Sequence, residues 1–423
     1  MGSEMCIRDS NQEDKMMTAV PKRKFLSGIA LVATLALPFG ATHAGDTIKI
    51  GGMAPLSSPG SYQQGPELVL GLEWAVADVN AAGGVLGKQV ELIVEDTQGR
   101  PPTGATVVEK LITKDKVVAA AGEYHSSVCK AEIEVFHQHG IPFVIGSCWS
   151  DALTDAGYDE VFRTSVYSSK LAENMVAVMA ANGIKKAASL VEDTDYGIGI
   201  AKNIENAIKK LNADIDFQYE VVEKTSKDFV PILLKYKTQV KPEVLIVAVT
   251  QPGGFLILKQ AHEIRFAPTA ETLYLDGTCT AQNDKVFWEA VKDAGNYVLM
   301  SCPYSPSVKL TDLGEKIKKR YIDKFDRQPN YLPLQGYDAM ISLLTAIKNA
   351  GSTDSKAIIK ALQELKIAGT RGDIEFSQED GVWHHQWKAV PTFIFQYTKV
   401  GQSAGDAAVL FPKQFATAGI ARP

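Results

Sequence analysis

The residues with the clearest chemical potential lie in Gly122-Glu-Tyr-His125-Ser126-Ser127. There a short apolar run, Val117 to Ala121, turns on a glycine into a segment carrying Ile133, Val135 and Phe136 toward a core. A strand, turn and helix start of this kind leaves free backbone N–H groups and a partial positive charge above the strand end, which suits a carboxylate. Ser126 or Ser127 would add a hydroxyl to that anion site; the plainer alternative is that Ser126 only caps its own helix. His125 beside Ser126 has the types of a general base and a nucleophile, yet neighbours at a helix start rarely aim at each other and no third orienting group accompanies them.

The sequence offers little other chemistry. Tyr196-Gly-Ile-Gly-Ile-Ala201 lacks the third glycine of a dinucleotide loop and the acid that should follow it. No phosphate-binding loop and no Gly-x-Ser-x-Gly elbow occurs, which leaves an ATPase or a common hydrolase without support. His384-His385 between Trp383 and Trp387 would point to opposite faces of a strand, so surface or stacking roles are expected rather than a metal pair. Glu123, Asp193, Asp195 and Asp276 stand at expected strand ends, with a solvated role as the default. Catalytic residues, metal ligands and cofactors are therefore none in this reading.

These residues need a scaffold, and 423 residues with 45% hydrophobic content suffice for two ordinary soluble domains. A net charge of −5 without basic blocks beyond the N-terminus argues against nucleic acid and for a small-molecule partner. Residues 1–15 read as a leader foreign to the fold. From Met16 the pattern is secretory: Lys22-Arg-Lys24, the apolar Phe25 to Leu37, and Ala41-Thr-His-Ala44 at the cut, giving Gly45 as the mature start. The apolar run is too short to span a bilayer, and no cysteine follows the cut to carry lipid. An exported, soluble, monomeric product is expected. Leaving out Cys6, four cysteines remain; Cys129 with Cys148 and Cys279 with Cys302 follow consecutive strands and are the favoured disulfides, four free buried thiols being the alternative. The absence of a CxxC pair speaks against zinc.

From Thr47 strands and helices alternate. Strands are expected at 48–50, 90–94, 117–121 and 142–145, with helices at 67–80, 103–113 and 128–137 between them. After Phe162-Arg-Thr164 a second series has strands at 187–191, 216–222, 244–249, 273–275 and 296–301, and helices at 171–181, 199–211, 228–240 and 255–263. Helices at 313–325, 334–350 and 355–365 follow, then antiparallel-looking strands at 373–376 and 393–397. Alternation of this kind implies α/β lobes with parallel sheets covered on both faces.

In order along the chain stand Ile48-Lys-Ile-Gly51, Pro55-Leu-Ser, Ala77-Asp-Val-Asn80-Ala-Ala-Gly-Gly84-Val-Leu-Gly87, Glu95-Asp96, Gly122 with Ser126-Ser127, Gly140-Ile-Pro142, Asp195-Tyr-Gly197, Asp228-Phe229, Tyr337-Asp-Ala339 and Ala350-Gly351. Over residues 46–400 this series resembles the periplasmic solute-binding proteins of branched-chain amino-acid ABC transporters; order and spacing carry the likeness, not any single motif. The resemblance implies two Rossmann-like lobes with parallel central sheets, joined by three hinge crossings, the type I periplasmic-binding fold. Crossings near Thr164, Ser301 and Gly372 divide the chain into a first lobe of 46–164 plus 302–372 and a second of 165–301 plus 373–423.

The resemblance also implies a site between the lobes. Ser126, with free N–H groups and Ser127, would take a ligand carboxylate. Ser147 would serve from the next loop, Tyr196 and Thr250 from the facing lobe, and Asp276 would meet a ligand ammonium, since a buried ammonium needs a counter-charge. Tyr62 or Gln64 would close the rim. One departure is Ser147-Cys148-Trp149-Ser150, where Trp149 replaces a small hydroxyl: either a core residue propping the loop or an aromatic wall for a flatter ligand or a cation. The implied partners are a small ligand and a membrane ABC permease, and the implied ligand is a hydrophobic or branched-chain amino acid. Another small acid or amide, including an aromatic acid, and a ligand-sensing receptor component stand as the alternatives.

Overall fold

The structure is a computed structural model and describes residues 47–423; the leader, the secretory segment and its cut lie outside the described residues. Two sheets organise it. The first contains β1 (Ile48–Ala54), β2 (Val90–Asp96), β3 (Ala119–Gly122), β4 (Phe143–Ile145) and β5 (Val161–Arg163), all parallel, in the order β2-β1-β3-β4-β5. The connecting helices are α1 (Gly65–Ala81), α2 (Pro101–Lys110), α3 (Ser126–His139) and the single turn α4 (Ala152–Asp155). β3, Ala-Ala-Ala-Gly, is buried throughout because helices cover both faces of a parallel sheet.

The second sheet begins with parallel strands β6 (Lys186–Glu192), β7 (Asp216–Val222), β8 (Val244–Ala248), β9 (Leu273–Asp276) and β10 (Leu299–Cys302), linked by α5 (Ser168–Ala181), α6 (Asp195–Lys210), α7 (Val230–Lys235), α8 (Gly253–Glu263) and α9 (Asp284–Val291). The chain then returns to the first lobe as α10 (Asp312–Phe325), α11 (Tyr331–Ala350) and α12 (Ser355–Gln363), and makes a hairpin of β11 (Lys366–Ala368) and β12 (Asp373–Glu375). Finally β13 (Phe393–Gln396) and β14 (Ala408–Phe411) add antiparallel to β10, giving the order β14-β13-β10-β9-β8-β6-β7. β5, α4, α9, β11 and β14 have no counterpart among the expected elements. All are short, three to eight residues, below the length at which periodicity speaks.

α1 and α11 pack so closely that glycine is required on both. A Cβ on Gly71 would meet the Pro333 carbonyl oxygen at 2.2 Å, and one on Gly336 would meet that of Leu68 at 2.2 Å. This seam fixes α11, whose first residue, Tyr331, points into the molecule with 1% exposure.

The chain passes between the sheets after β5, after β10 and before β13. The first and third passes run side by side: Arg163 N–H donates to His385 O (3.0 Å) and Trp387 N–H to Arg163 O (3.0 Å). Arg371 adds a tie, donating to Thr164 O (3.1 Å) while its Nε pairs with Asp338 (3.0 Å), both side chains fully buried. The His384 and His385 rings meet with centroids 3.8 Å apart and a tilt of 31°, not on opposite faces as on a strand, because His385 has a left-handed φ of 51°. Phe162 stacks on the His385 ring at 4.1 Å.

Candidate functional site

β3 ends on Gly122, where a Cβ would meet the Met53 carbonyl oxygen at 2.4 Å and the φ of 137° excludes other residues. Glu123 follows in a left-handed conformation and is fully buried, not solvated; its Oε1 accepts the His125 N–H (2.9 Å). α3 then starts, with His125 at the N-cap and no side-chain cap. The serine-cap reading is thereby corrected. Ser126 is already helical, and its Oγ turns away to accept the N–H groups of Trp149 (3.2 Å) and Ser150 (3.1 Å) from the loop after β4. With two donors aimed at its oxygen, the Ser126 proton is left to be donated elsewhere. Among the described residues, the N–H groups of Ser126 and Ser127 have no protein acceptor, as expected for a first helical turn.

That corner opens on a cavity between the lobes with about 290 Å³ of empty space, counting the part open to solvent. From the first lobe it is lined by Tyr124, His125, Ser126, Ser147, Trp149 and Tyr331; from the second by Glu192, Tyr196, Thr250 and Thr278. Ser147 Oγ is buried with no hydrogen-bond partner, and so is Trp149 Nε1. Trp149 is both buried, at 5% exposure, and part of the cavity wall. Its ring stands edge-on to Tyr196 at 5.9 Å and tilted to Tyr331 at 5.4 Å. His125 Nε2 accepts the Ser61 N–H (3.1 Å), and burial holds the ring well below the usual imidazole pKa, so its one proton sits on Nδ1.

The acid of the cavity is Glu192, the last residue of β6 and only 1% exposed. Its Oε2 accepts from Thr250 N–H (2.7 Å) and Oγ1 (2.6 Å), and its Oε1 from Thr194 Oγ1 (2.7 Å). Three donors hold the carboxylate in one orientation, and no lysine or arginine lines the cavity. Asp276, expected here, stands outside the lining. Its Oδ1 accepts from Thr278 N–H (2.8 Å) and Oγ1 (2.6 Å), its Oδ2 from Ala281 N–H (2.9 Å). It organises the turn after β9 and leaves Thr278 to face the cavity; burial raises its pKa even against these bonds.

Three other expected residues, Tyr62, Ser127 and Gln64, also lie off the cavity. Tyr62 is 50% exposed on the outer surface. Ser127 faces a neighbouring groove, and its Oγ accepts the Asp195 N–H (3.0 Å) at the start of α6, a contact between the lobes. Lys130 pairs with Asp195 (3.1 Å) beside it, and Ser61 Oγ donates to Gln251 O (3.4 Å), so three contacts cross from one lobe to the other around the cavity. Gln64 is buried outside the lining. The structure thus brings together Ser126, Ser147, Trp149, Tyr196 and Thr250, and adds Tyr124, His125, Glu192, Thr278 and Tyr331. Disulfides join Cys129 to Cys148 and Cys279 to Cys302, the first tying α3 to the loop that carries Ser147 and Trp149. Among the described residues no cluster of His, Cys, Asp or Glu is placed to hold a metal, and no helix is long and apolar enough to cross a membrane.

Comparison with known proteins agrees with this architecture. The "Leu/Ile/Val-binding protein homolog 3" of Brucella melitensis is 26% identical over 358 residues, covering 84% of this chain and 93% of the relative. The branched-chain amino acid transporter substrate-binding protein of Streptococcus pneumoniae, solved in complex with isoleucine, superposes with a TM-score of 0.74 at 22% identity, covering 87% of this chain and 100% of that one. A solute-binding protein of an ABC transporter from R. palustris, in complex with benzoate, superposes with a TM-score of 0.73 at 19% identity, covering 86% and 96%. The family model described as periplasmic binding protein matches residues 47–392, and the chain belongs to that family.

Proposed function

We propose that this protein is the exported solute-binding component of an ABC importer and that it captures a small α-amino acid with an apolar side chain. The observation that carries the reading is the polarity of one cavity. Unspent donors, the Ser126 and Ser147 hydroxyls and the first N–H groups of α3, stand on one lobe, and the Glu192 carboxylate stands on the other, with aromatic rings between. A zwitterion matches both ends; its carboxylate meets the donors and its ammonium the acid that Asp276 was expected to supply. Capture is by hinge closure of two lobes, 46–164 plus 302–372 and 165–301 plus 373–423, without turnover. Export to the periplasm through a segment cut after Ala44, a monomeric state and delivery to a membrane permease belong to the same reading.

An aromatic acid is the second reading, favoured by the wall of Tyr124, Trp149, Tyr196 and Tyr331. Charge weighs against it: a benzoate-like anion would share the cavity with Glu192 and find no lysine or arginine lining it, and its histidine, His125, is held neutral by burial. Calorimetric titration of the mature protein with L-leucine, L-phenylalanine and benzoate tests this. The amino acids should bind, benzoate should not, and Glu192→Gln should weaken amino-acid binding at least tenfold. Binding of benzoate that Glu192→Gln strengthens would instead establish the aromatic acid, and chemical change in the recovered ligand would refute capture without turnover.

A further inference from the structure

Arg163, at the end of β5, is fully buried; among the described residues no carboxylate touches its guanidinium, and the charge of Asp151 favours its protonated form without contact. Burial pushes its pKa down to about 10, so it stays protonated at neutral pH. A buried cation is tolerated only when its donors are met. Here they are met by neutral acceptors that belong to two separate parts of the machine. Nε donates to the Gln386 side chain of the third pass between the lobes. Nη1 donates to the Ser150 carbonyl in the loop after β4, and Nη2 to Thr154 Oγ1 (3.4 Å) in α4, which that loop leads into.

Ser150 is thereby held from both its backbone groups: its carbonyl by Arg163, its N–H by Ser126 Oγ (3.1 Å). The rest of the loop is laced to the first pass residue by residue. Cys148 O accepts from Ser165 Oγ (3.1 Å), Trp149 O from the Ser168 N–H (2.7 Å), and the Asp151 carboxylate from Ser168 Oγ (2.9 Å) and the Ser169 N–H (3.0 Å). The loop that presents Ser147 and Trp149 to the cavity therefore hangs on the hinge segments as well as on its own lobe.

We propose that Arg163 is a positioning residue for ligand capture, registering the Trp149 loop and the Ser126 hydroxyl against the first and third hinge passes. The effect on ligand rests on the binding reading above; the effect on the loop does not. Amide hydrogen exchange of the unliganded mature protein separates the two. Arg163→Met, which keeps bulk and loses every donor, should raise exchange of segment 147–151 at least tenfold relative to β3 and β8. Ile358→Val, a core change in α12 away from the loop, should leave that segment at its wild-type rate. With L-leucine as probe, Arg163→Met should raise the dissociation constant about tenfold, mainly by faster release, and its effect combined with Ser126→Ala should fall short of the sum of the two, because they share Ser150 while Ser126→Ala also loses its own bond to the ligand.

If Arg163→Met does not fold, Gln386→Leu removes the Nε acceptor together with the Gln386 bonds to Ser165 O and Trp387 O (both 3.1 Å), and should still raise exchange selectively in 147–151. Uniform exchange changes across both lobes, or an unchanged 147–151 segment in whichever variant folds, would overturn the proposal. Failure of L-leucine to bind wild-type protein, with the selective exchange change intact, would count against the binding reading and leave the role of Arg163 in place.

Discussion

Ser147→Ala is the sharpest perturbation the site allows, because Ser147 Oγ is buried and makes no hydrogen bond within the protein. The substitution removes one oxygen that the fold does not use. Leaving a buried hydroxyl unmet costs about 1–3 kcal/mol, so deleting it should leave the unliganded stability unchanged or raise it by up to about 1 kcal/mol. Against a ligand carboxylate the same hydroxyl makes a charge-assisted bond of about 1.5–3 kcal/mol, which is roughly a 10- to 150-fold change in Kd. Ser126→Ala is the contrast. It loses a donor to the ligand too, but it also strands the N–H groups of Trp149 and Ser150, so unliganded stability should fall by about 1–3 kcal/mol. Urea unfolding without ligand and calorimetry with L-leucine give the two readouts. The reasoning fails if Ser147→Ala lowers unliganded stability by more than about 1.5 kcal/mol, or if both variants change affinity by less than about threefold.

Three further outcomes follow from burial and covalent ties. Glu123, just before α3, and Glu132, within it, form a buried carboxyl pair, and burial holds both above the ordinary glutamate value of 4.5, Glu132 furthest because the charge of Glu123 adds to it. The native state keeps a proton that the unfolded chain releases, so this part of the stability is complete below 4.5 and declines as pH rises beyond it, by up to about 1.4 kcal/mol per pH unit. Wild-type stability minus that of Glu132→Gln should fall from about pH 5 to 8, and parallel curves would show that no proton is retained. His125 and His385 have the opposite sign: burial depresses both, His385 to about 4, so native neutrality costs stability as pH drops below 6.5. His385→Phe should flatten the acid limb of the stability profile, and an unchanged limb would contradict a neutral buried ring. Cys129 and Cys148 close a separation of 19 residues, a constraint of about 3 kcal/mol on the unfolded chain. The double serine variant should lose about that much in urea unfolding, and a loss under about 1 kcal/mol would mean that the reduced unfolded chain stays compact.

The alternation of buried strands and amphipathic helices was plain in the sequence because each strand of a covered parallel sheet is a nearly pure apolar run, as in Val244–Ala248. Of the cavity residues, Ser126 was legible from its strand, turn and helix start, whereas Ser147, Trp149, Tyr196 and Thr250 came through the family resemblance; all five follow strand ends, where such folds place their sites. Glu192 was not, although an acid closing the apolar strand Ala187 to Val191 was a usable signal. Tyr331 was out of reach, since it arrives at the cavity from a helix 182 positions after Trp149, counting 331 − 149. Asp276 was misplaced because a strand end specifies position but not which way a side chain turns. The hydroxyls at Thr278 and Thr280, two and four residues on, were the local sign that its oxygens would be spent on its own turn.

The glycine seam between α1 and α11 bears on how such a site can change over generations. Gly71 and Gly336 touch the partner backbone and admit no side chain, so the frame that aims Tyr331 is closed to gradual alteration. Trp149 meets Tyr196 and Tyr331 ring against ring at the cavity, side-chain contacts that do not involve the backbone of the seam. Variation in ligand preference is thereby channelled to a few ring positions, while the two glycines constrain lineages that never alter what they bind. A mutational scan scored for folding alone would rank the seam with the core, and one scored for ligand choice would pass over it and single out the rings.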